Sequence, residues 1–337
     1  MKRILVFIFA VLLTALTYAA EPVRIVFDTD IGNDVDDAMA LAVTHALQNR
    51  GECELLAVTI TKDNRYAAPM VSLLNTFYGR PEIPIAVVKN GSTKEDGPYN
   101  RRVVELKDDE DNPRYLRKLS PEDSANLPDA VPFLRKLLAE SPDNSVVLVQ
   151  IGFFTNFARL LDTPADDISP LTGKELIAKK VKCLSLMAGA FARRYRDHKE
   201  YNVVHDLPSA KKMVAEWPTE MVFCGFEIGD SIHHPPASMR DDYGYVKYHP
   251  LQDAYRFYCG LDRGTPTFDL NSLLYVVRPD REYYDLSPPG TVTVQDDGIT
   301  TFAEREGGKH RYMIVNAEQI SKVREAFVQL CSEPPKK

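Results

Sequence analysis

Five aspartates crowd into ten residues of this chain, in Asp28-Thr29-Asp30-Ile31-Gly32-Asn33-Asp34-Val35-Asp36-Asp37. Carboxylates so close together repel and raise one another's pKa, so the cluster is costly unless a cation neutralises it. A solvated acidic loop with a helix N-cap explains one or two aspartates, because a carboxylate in the first turn gains from free N–H groups and the helix dipole. It does not explain five, with Gly32-Asn33 between them. The pattern points to a divalent metal held by oxygen ligands, calcium or magnesium rather than zinc, and to a water activated on it. No histidine pair at ligand spacing competes, since His233-His234 runs into two prolines and reads as a loop.

The cluster must be positioned by what flanks it. Residues 23–27 are a short β-branched run, a buried strand by length and composition. From Asp36 onward, Ala38, Met39, Ala42, Val43, Ala46 and Leu47 fall at helical spacing, and Gly51 suits the stop. Residues 54–60 read as the next strand. Strand, acidic loop, helix, strand is a βαβ unit and implies a parallel sheet. In such sheets, sites form at the carboxyl ends of the strands.

The alternation continues, with helices over 70–78, 131–139 and about 209–216, and strands over 83–88, 145–150, 181–187 and 221–226. Residues 91–128 are charged and weakly periodic, a surface loop or a lid. Residues 291–294 and 312–315 read as a small strand pair, and 318–330 as a closing helix. The expected fold is α/β: an open, mostly parallel, Rossmann-like sheet with helices on both faces. It forms one domain over residues 20–332, with a frayed tail at 333–337.

Composition sets further limits. The chain has 337 residues, 44% of them hydrophobic and 26% charged, enough for a core in a soluble protein. A net charge of −7 argues against nucleic-acid binding, which needs clustered positive charge. Met1-Lys2-Arg3, an apolar run over 4–16 and Thr17-Tyr18-Ala19 read as a signal peptide over residues 1–19. The apolar run is short for a membrane span, so an exported protein, periplasmic or secreted, with no membrane attachment after cleavage is expected. Of Cys53, Cys183, Cys224, Cys259 and Cys331 at least one must be unpaired, and most read as buried thiols acting as small hydrophobes.

The aspartate segment resembles the signature of the inosine-uridine preferring nucleoside hydrolases, calcium enzymes that cleave the N-glycosidic bond of nucleosides. The usual form is D-T-D-x-G-x-D-D-A-x-A-L, and here it is two residues longer. The resemblance implies that Asp30 and Asp37 hold Ca2+, that Asp30 is also the catalytic base, that Asp36 faces the sugar, and that Asp28 and Asp34 stand behind the ligands. Asn64 lies where that family has a ribose-contacting asparagine. Residues 147–156 resemble its G-P-L-T-N stretch, which assigns the backbone carbonyl of Ile151 to the metal. Met187-Ala188-Gly189-Ala190 resembles the M-G-G-A loop, placing Met187 at the substrate, and Glu200-Tyr201-Asn202 resembles the E-F-N triplet, whose Glu and Asn hold the sugar hydroxyls. Asp269 would close the metal site. Asp253 competes for that role but is expected to face solvent or cap its helix.

One position departs from the family pattern. Many members carry a histidine just before the last calcium aspartate as the leaving-group acid. Here Phe268 stands there, and it can stack on a base but not donate a proton. The H-G loop after the third strand is also replaced, by Gly91-Ser92-Thr93-Lys94. Tyr99, Tyr195, Tyr243, Tyr245 and His233 are candidate donors with nothing to select among them.

The reading is a calcium-dependent N-ribosyl hydrolase acting on a small nucleoside-like substrate, with room for a homo-oligomer. Two alternatives compete. One is a magnesium-dependent phosphatase, since D-x-D after a strand also suits phosphoryl transfer, although this leaves Glu200-Tyr201-Asn202 unexplained. The other is a non-catalytic, calcium-stabilised ribose- or nucleoside-binding protein, which Phe268 favours.

Overall fold

The structure, a computed structural model, describes residues 21–336. The expected export signal lies outside the described residues. Strand β1 (Val23–Thr29) runs through the aspartate cluster into helix α1 (Asp36–Asn49), and β2 (Cys53–Lys62) returns parallel to β1. There follow α2 (Ala67–Phe77), β3 (Ile85–Ser92), α3 (Asn100–Val104), α4 (Ala130–Glu140), β4 (Val146–Gln150), α5 (Thr155–Leu161), α6 (Gly173–Lys180) and β5 (Val181–Met187). Next come α7 (Tyr201–His205), α8 (Leu207–Glu216), β6 (Glu220–Cys224), α9 (Phe226–Ser231), β7 (His233–His234), α10 (Pro236–Asp241), α11 (Pro250–Cys259), β8 (Thr265–Pro266) and α12 (Phe268–Val277). The chain closes with β9 (Asp285–Leu286), β10 (Gly290–Val294), β11 (Thr300–Glu304), β12 (His310–Ile314) and α13 (Ala317–Cys331).

Ten strands make one sheet in the order β11-β10-β12-β6-β5-β4-β1-β2-β3, with β9 paired to β12. From β12 to β3 every neighbouring pair is parallel. The remaining strands are antiparallel additions at one end. Side chains alternate across a strand. Ile25 and Phe27 of β1 therefore join the core beneath α1, α12 and α13, while Val26 joins the core beneath α4, α5 and α8. Strand β4 divides its Val147 and Val149 from Val146 and Leu148 in the same way. Each such side chain contributes roughly 1.5–3 kcal/mol by burial. Helix α1 shows that burial dominates: it has no side-chain N-cap bond, yet nearly all of its length is buried.

Strand β1 lies between β2 and β4, and the chain order runs outward from it on both sides. The crevice outside the carboxyl ends of β1 and β4 is thus the point where strand order reverses, the place where open α/β sheets bind ligands. Two glycines let the backbones converge there. Gly152, just past β4, lies so close to Asp30 N and Thr61 Oγ1 that a Cβ would collide with both. Gly32 has φ +117°, and a Cβ there would strike the Asn100 amide, which donates to Ile31 O at 2.8 Å.

Several expectations change. Residues 291–294 do not pair along 312–315. Strand β10 pairs with β11, touching β12 only at Gly290 and His310, while β12 extends the main sheet beside β6. The β10–β11 hairpin was signalled by Asp297-Gly298 at its turn, where Gly298 takes φ +88°. Strand β6 ends at Cys224, and Phe226 already begins α9. Residues 91–128 are more than a surface loop: Tyr99, Asn100, Val103 and Val104 are buried, and α3 braces the motif loop through Asn100. His233-His234 is a short strand against Thr265–Pro266, with His234 buried. At the tail, Glu333 is ion-paired to Arg50. Asp253 neither faces solvent nor caps its helix. It is buried, and accepts from Arg114 Nη1 at 3.0 Å and Tyr115 Oη at 2.6 Å. All five cysteines are free thiols.

Gly32→Ala combines a strained φ with a steric clash against Asn100. It is expected to destabilise the fold by about 1–3 kcal/mol, read from the midpoint of urea unfolding. Gly51→Ala has φ +72° and open space around it, so it carries the backbone strain without the clash. A loss no larger at Gly32 than at Gly51 would show that the Asn100 contact does not constrain the loop.

Candidate active site

The aspartates occupy the end of β1, the loop after it and the first turn of α1. Each is held by a different part of the fold. Asp28 Oδ1 accepts from Thr59 Oγ1 on β2 and from Asn156 Nδ2 on α5, the latter at 2.9 Å. Its Oδ2 is buried and has no partner among the described residues. Thr29 Oγ1 donates to Asp37 Oδ1, and Asp37 Oδ2 is likewise buried without a partner. Asp30 Oδ2 accepts from Asn33 Nδ2 at 2.5 Å, and Asn33 Oδ1 accepts from Lys62 Nζ at 2.6 Å. Lys62 is wholly buried, and its ammonium also reaches Glu95 Oε1 at 3.2 Å.

Asp269 stands in the first turn of α12, and its backbone N–H donates to Asp36 Oδ2 at 3.1 Å. Oxygens of Asp34, Asp36 and Asp269 lie within 4.8 Å of one another. The fold therefore joins residues more than 230 positions apart into one acidic floor. Asp34, expected to stand behind the ligands, is half-buried at the cavity surface beside Asp36 and Asp269.

The electrostatics are those of a site short of positive charge. Burial, then the neighbouring Asp34, pushes Asp30 up to about 8, with Asn33 and Lys62 pulling the other way. Burial raises Asp28 to about 7, offset by its bonds to Thr59 and Asn156. Asp36, Asp37 and Asp269 are all driven well above the usual carboxylate range, first by burial and then by neighbouring carboxylates: Asp34 beside Asp36, Asp30 beside Asp37, and Asp36 beside Asp269. Unpartnered buried oxygens on Asp28 and Asp37, and an oxygen-only donor set, fit a hard divalent cation.

Above this floor lies a cavity of about 710 Å3. Asp30, Asp34, Asp269, Ile151, Met187, Glu200, Asn202 and Phe268 line it, together with Asn33, Glu95, Tyr201, His198, Lys199, His205, Phe226 and Tyr258. Ile151 is anchored by its N–H on Asp28 O at 2.8 Å. Glu200 is the N-cap of α7, accepting from Asn202 N at 2.7 Å, Val203 N at 3.1 Å and Gly189 N at 3.3 Å. Burial still raises it to about 7. Asn202 Nδ2 donates to Met187 O at 3.2 Å, locking α7 to the end of β5.

Asn64 is placed otherwise than expected. Its Nδ2 donates to Lys94 O and Asp96 Oδ1, and its Oδ1 accepts from Tyr66 N, so it tethers the loop after β3 and does not line the cavity. Asn33, inside the lengthened motif, lines the cavity instead. The five candidate proton donors do not reach it either. Tyr99 is buried behind the motif loop, raised by burial and then by the charges of Asp37, Asp34 and Asp36, but does not line the cavity; Tyr243 is buried elsewhere, Tyr195 Oη donates to Asp230, Tyr245 Oη meets His249 Nε2 at 2.8 Å, and His233 sits in β7. Phe268 does face the cavity, stacked on Phe226 with ring centroids 5.1 Å apart.

Residues 25–328 match the family model described as inosine-uridine preferring nucleoside hydrolase. The chain belongs to this family. Membership makes it an N-ribosyl hydrolase by type.

No curated protein sequence matches the chain. Among solved structures, a plant nucleoside hydrolase, the PpNRh1 enzyme, is similar at 19% identity and TM-score 0.68, covering 93% of this chain and all of that one. A purine-preferring ribonucleoside hydrolase from Gardnerella vaginalis is similar at 16% identity and TM-score 0.67, covering 92% and 98%. The type III effector protein XopQ complexed with adenosine diphosphate ribose is similar at 16% identity and TM-score 0.64, covering 94% and 96%. At these identities the structures establish a shared nucleoside hydrolase fold.

The raised carboxylates make a pH prediction. A group whose folded pKa exceeds its unfolded value stabilises the fold below the unfolded pKa and loses that contribution as pH rises through the folded one. For Asp28, Asp30 and Glu200 the loss extends up to about 7, about 8 and about 7. The melting temperature of chelator-treated protein should therefore fall between about pH 7.5 and about pH 9, above the range in which the buried histidines His45, His234, His249 and His310, lowered by burial, contribute the opposite slope. Calcium should raise it and flatten the slope. A chelated protein whose melting temperature does not change over this range would refute the electrostatic picture.

Proposed function

We propose that this protein is an exported, calcium-dependent hydrolase that cleaves the N-glycosidic bond of ribonucleosides to free ribose and base. The observation that carries this reading is the union of Asp30, Asp34, Asp36 and Asp269 into a buried acidic floor. That floor opens on a cavity also lined by Glu200, Asn202 and Phe268.

Asp30, Asp37, Asp269 and the Ile151 carbonyl are the assigned cation ligands, with Asp34 added to them by its position beside Asp36 and Asp269. A dication held there supplies Lewis-acid activation of the attacking water. Asp30 takes the proton of that water. Burial and Asp34 hold its pKa at about 8 even against Asn33 and Lys62, so its role as base requires more positive charge beside it than Lys62 alone gives. Lys62 supplies part of that charge through Asn33 and fixes the Asp30 carboxylate in one orientation.

Hydrolysis passes through an oxocarbenium-like sugar, and hydrogen bonds to the ring hydroxyls that strengthen in the transition state lower its energy. Asp36, Glu200 and Asn202 are assigned to those hydroxyls. Glu200 and Asn202 are already fixed by backbone contacts. Phe268 and Phe226 present an apolar aromatic surface to the base.

The test is a nucleoside panel assayed for free ribose, with calcium and with chelator. Ribose release from at least one ribonucleoside in calcium, lost on chelation and regained on readdition, is expected. Tight calcium binding with no ribose from any nucleoside would sink the hydrolase reading. Asp30→Asn should lower kcat by about 10²–10⁴-fold, the usual contribution of a positioned base. Lys62→Met removes the cation that opposes the rise of the Asp30 pKa, so the acidic limb of the pH–rate profile should move to higher pH. An unmoved limb would remove Lys62 from the account.

A further inference from the structure

The departing base needs a proton, and Phe268 cannot give one. We propose that His198, a half-buried residue on the loop between β5 and α7, is the proton donor to the leaving nucleobase, and that the base it serves is a purine. This rests on the hydrolase reading above.

Three observations converge on it. His198 lines the cavity. Its ring packs on Phe226 with centroids 3.9 Å apart, and Phe226 stacks in turn on Phe268 at 5.1 Å. An aromatic wall therefore runs from the neighbour of Asp269 to the imidazole. A planar nucleobase lies well against such a wall, and the wider purine bicycle spans more of it towards the imidazole than a pyrimidine does. Lastly, His198 stands two residues before Glu200, whose carboxylate is pinned by three backbone N–H groups, and its own N–H is tied to Tyr195 O at 2.9 Å. The donor and the sugar clamp are thus carried on one short, anchored segment. The other histidine of the cavity, His205, belongs to a separate aromatic group with Tyr201 and Phe153, and its Nδ1 is engaged by Tyr201 O at 3.0 Å.

In the step assigned to it, the bond between C1′ and the purine nitrogen breaks and its electron pair goes to the base. The imidazolium N–H proton passes to a ring nitrogen of the purine, leaving neutral imidazole. The water oxygen bonds to C1′ and its proton goes to Asp30. After ribose and base depart, Asp30 releases one proton to solvent and His198 regains one, so each turnover consumes one water.

Leaving-group dependence tests this directly. Inosine needs its base protonated, whereas p-nitrophenyl β-D-ribofuranoside expels a stable phenolate that does not. His198→Asn should lower kcat/KM for inosine by about 10²–10⁴-fold while leaving the p-nitrophenyl substrate within about threefold of wild type. If the Asn variant melts below wild type, His198→Gln is read in its place by the same ratio. Equal losses on both substrates, or no loss on either, would overturn the assignment of His198 while leaving the hydrolase reading intact. Pyrimidine nucleosides losing as much as inosine would overturn the purine assignment. A wild-type enzyme that cleaves neither substrate in calcium would overturn the hydrolase reading, and His198 with it.

Discussion

Mutual repulsion among carboxylates at the end of β1 is the constraint around which the rest of the molecule is arranged. The fold does not disperse these groups. It buries most of them, and gives three a neutral donor on one oxygen: Thr59 and Asn156 for Asp28, Thr29 for Asp37, Asn33 for Asp30. Neutral donors orient a carboxylate without cancelling its charge. The single buried ammonium among the described residues, Lys62, is held one residue away behind Asn33. An acidic site built this way is stable as a scaffold for a cation and costly without one. Even the start of α1, which lacks a side-chain cap, and the start of α12, whose Asp269 N–H is bound to Asp36, are fitted to the same cluster.

Sheet topology explains how residues from distant parts of the chain meet there. Asp28 lies at the end of β1, Asp30 to Asp37 follow it, Ile151 follows β4, Met187 ends β5, and Asp269 opens α12. Parallel strands place all their carboxyl ends on one rim, and the reversal of strand order beside β1 opens a crevice in it. Gly152 allows the β4 end to approach Asp30 within a distance that any side chain would forbid.

Much of this was legible in the sequence. Charge density alone argued for a metal, and the change from a short β-branched run to helical spacing after Asp36 placed the cluster at a strand end. Strand β5 was read with its observed bounds. What was not legible arose from contacts without local pattern. Asn64 sits at the expected place in the chain, but Lys94, Asp96 and Tyr66 claim both ends of its amide. Asp253 reads as a surface acid until Arg114 and Tyr115, more than 130 residues away, close over it. Residues 91–128 have weak periodicity because their contacts are divided among the motif loop, α2 and α11 instead of lying along one face. His198 carried one faint signal, its position two residues before Glu200-Tyr201-Asn202, and acquired meaning only once Phe226 was seen beside it.

The double duty of Glu200 has a consequence for how the reaction is timed. Its carboxylate terminates a helix and faces the cavity at once, so its orientation is settled when the chain folds and not when substrate arrives. The rotational freedom that a flexible acid would surrender at each encounter has been surrendered beforehand. The same arrangement limits adaptability. Under the proposed assignment of Glu200 to the sugar hydroxyls, a sugar whose hydroxyls are displaced could not draw Glu200 towards it without unwinding the first turn of α7, which would write selectivity for the sugar into the stability of a five-residue helix.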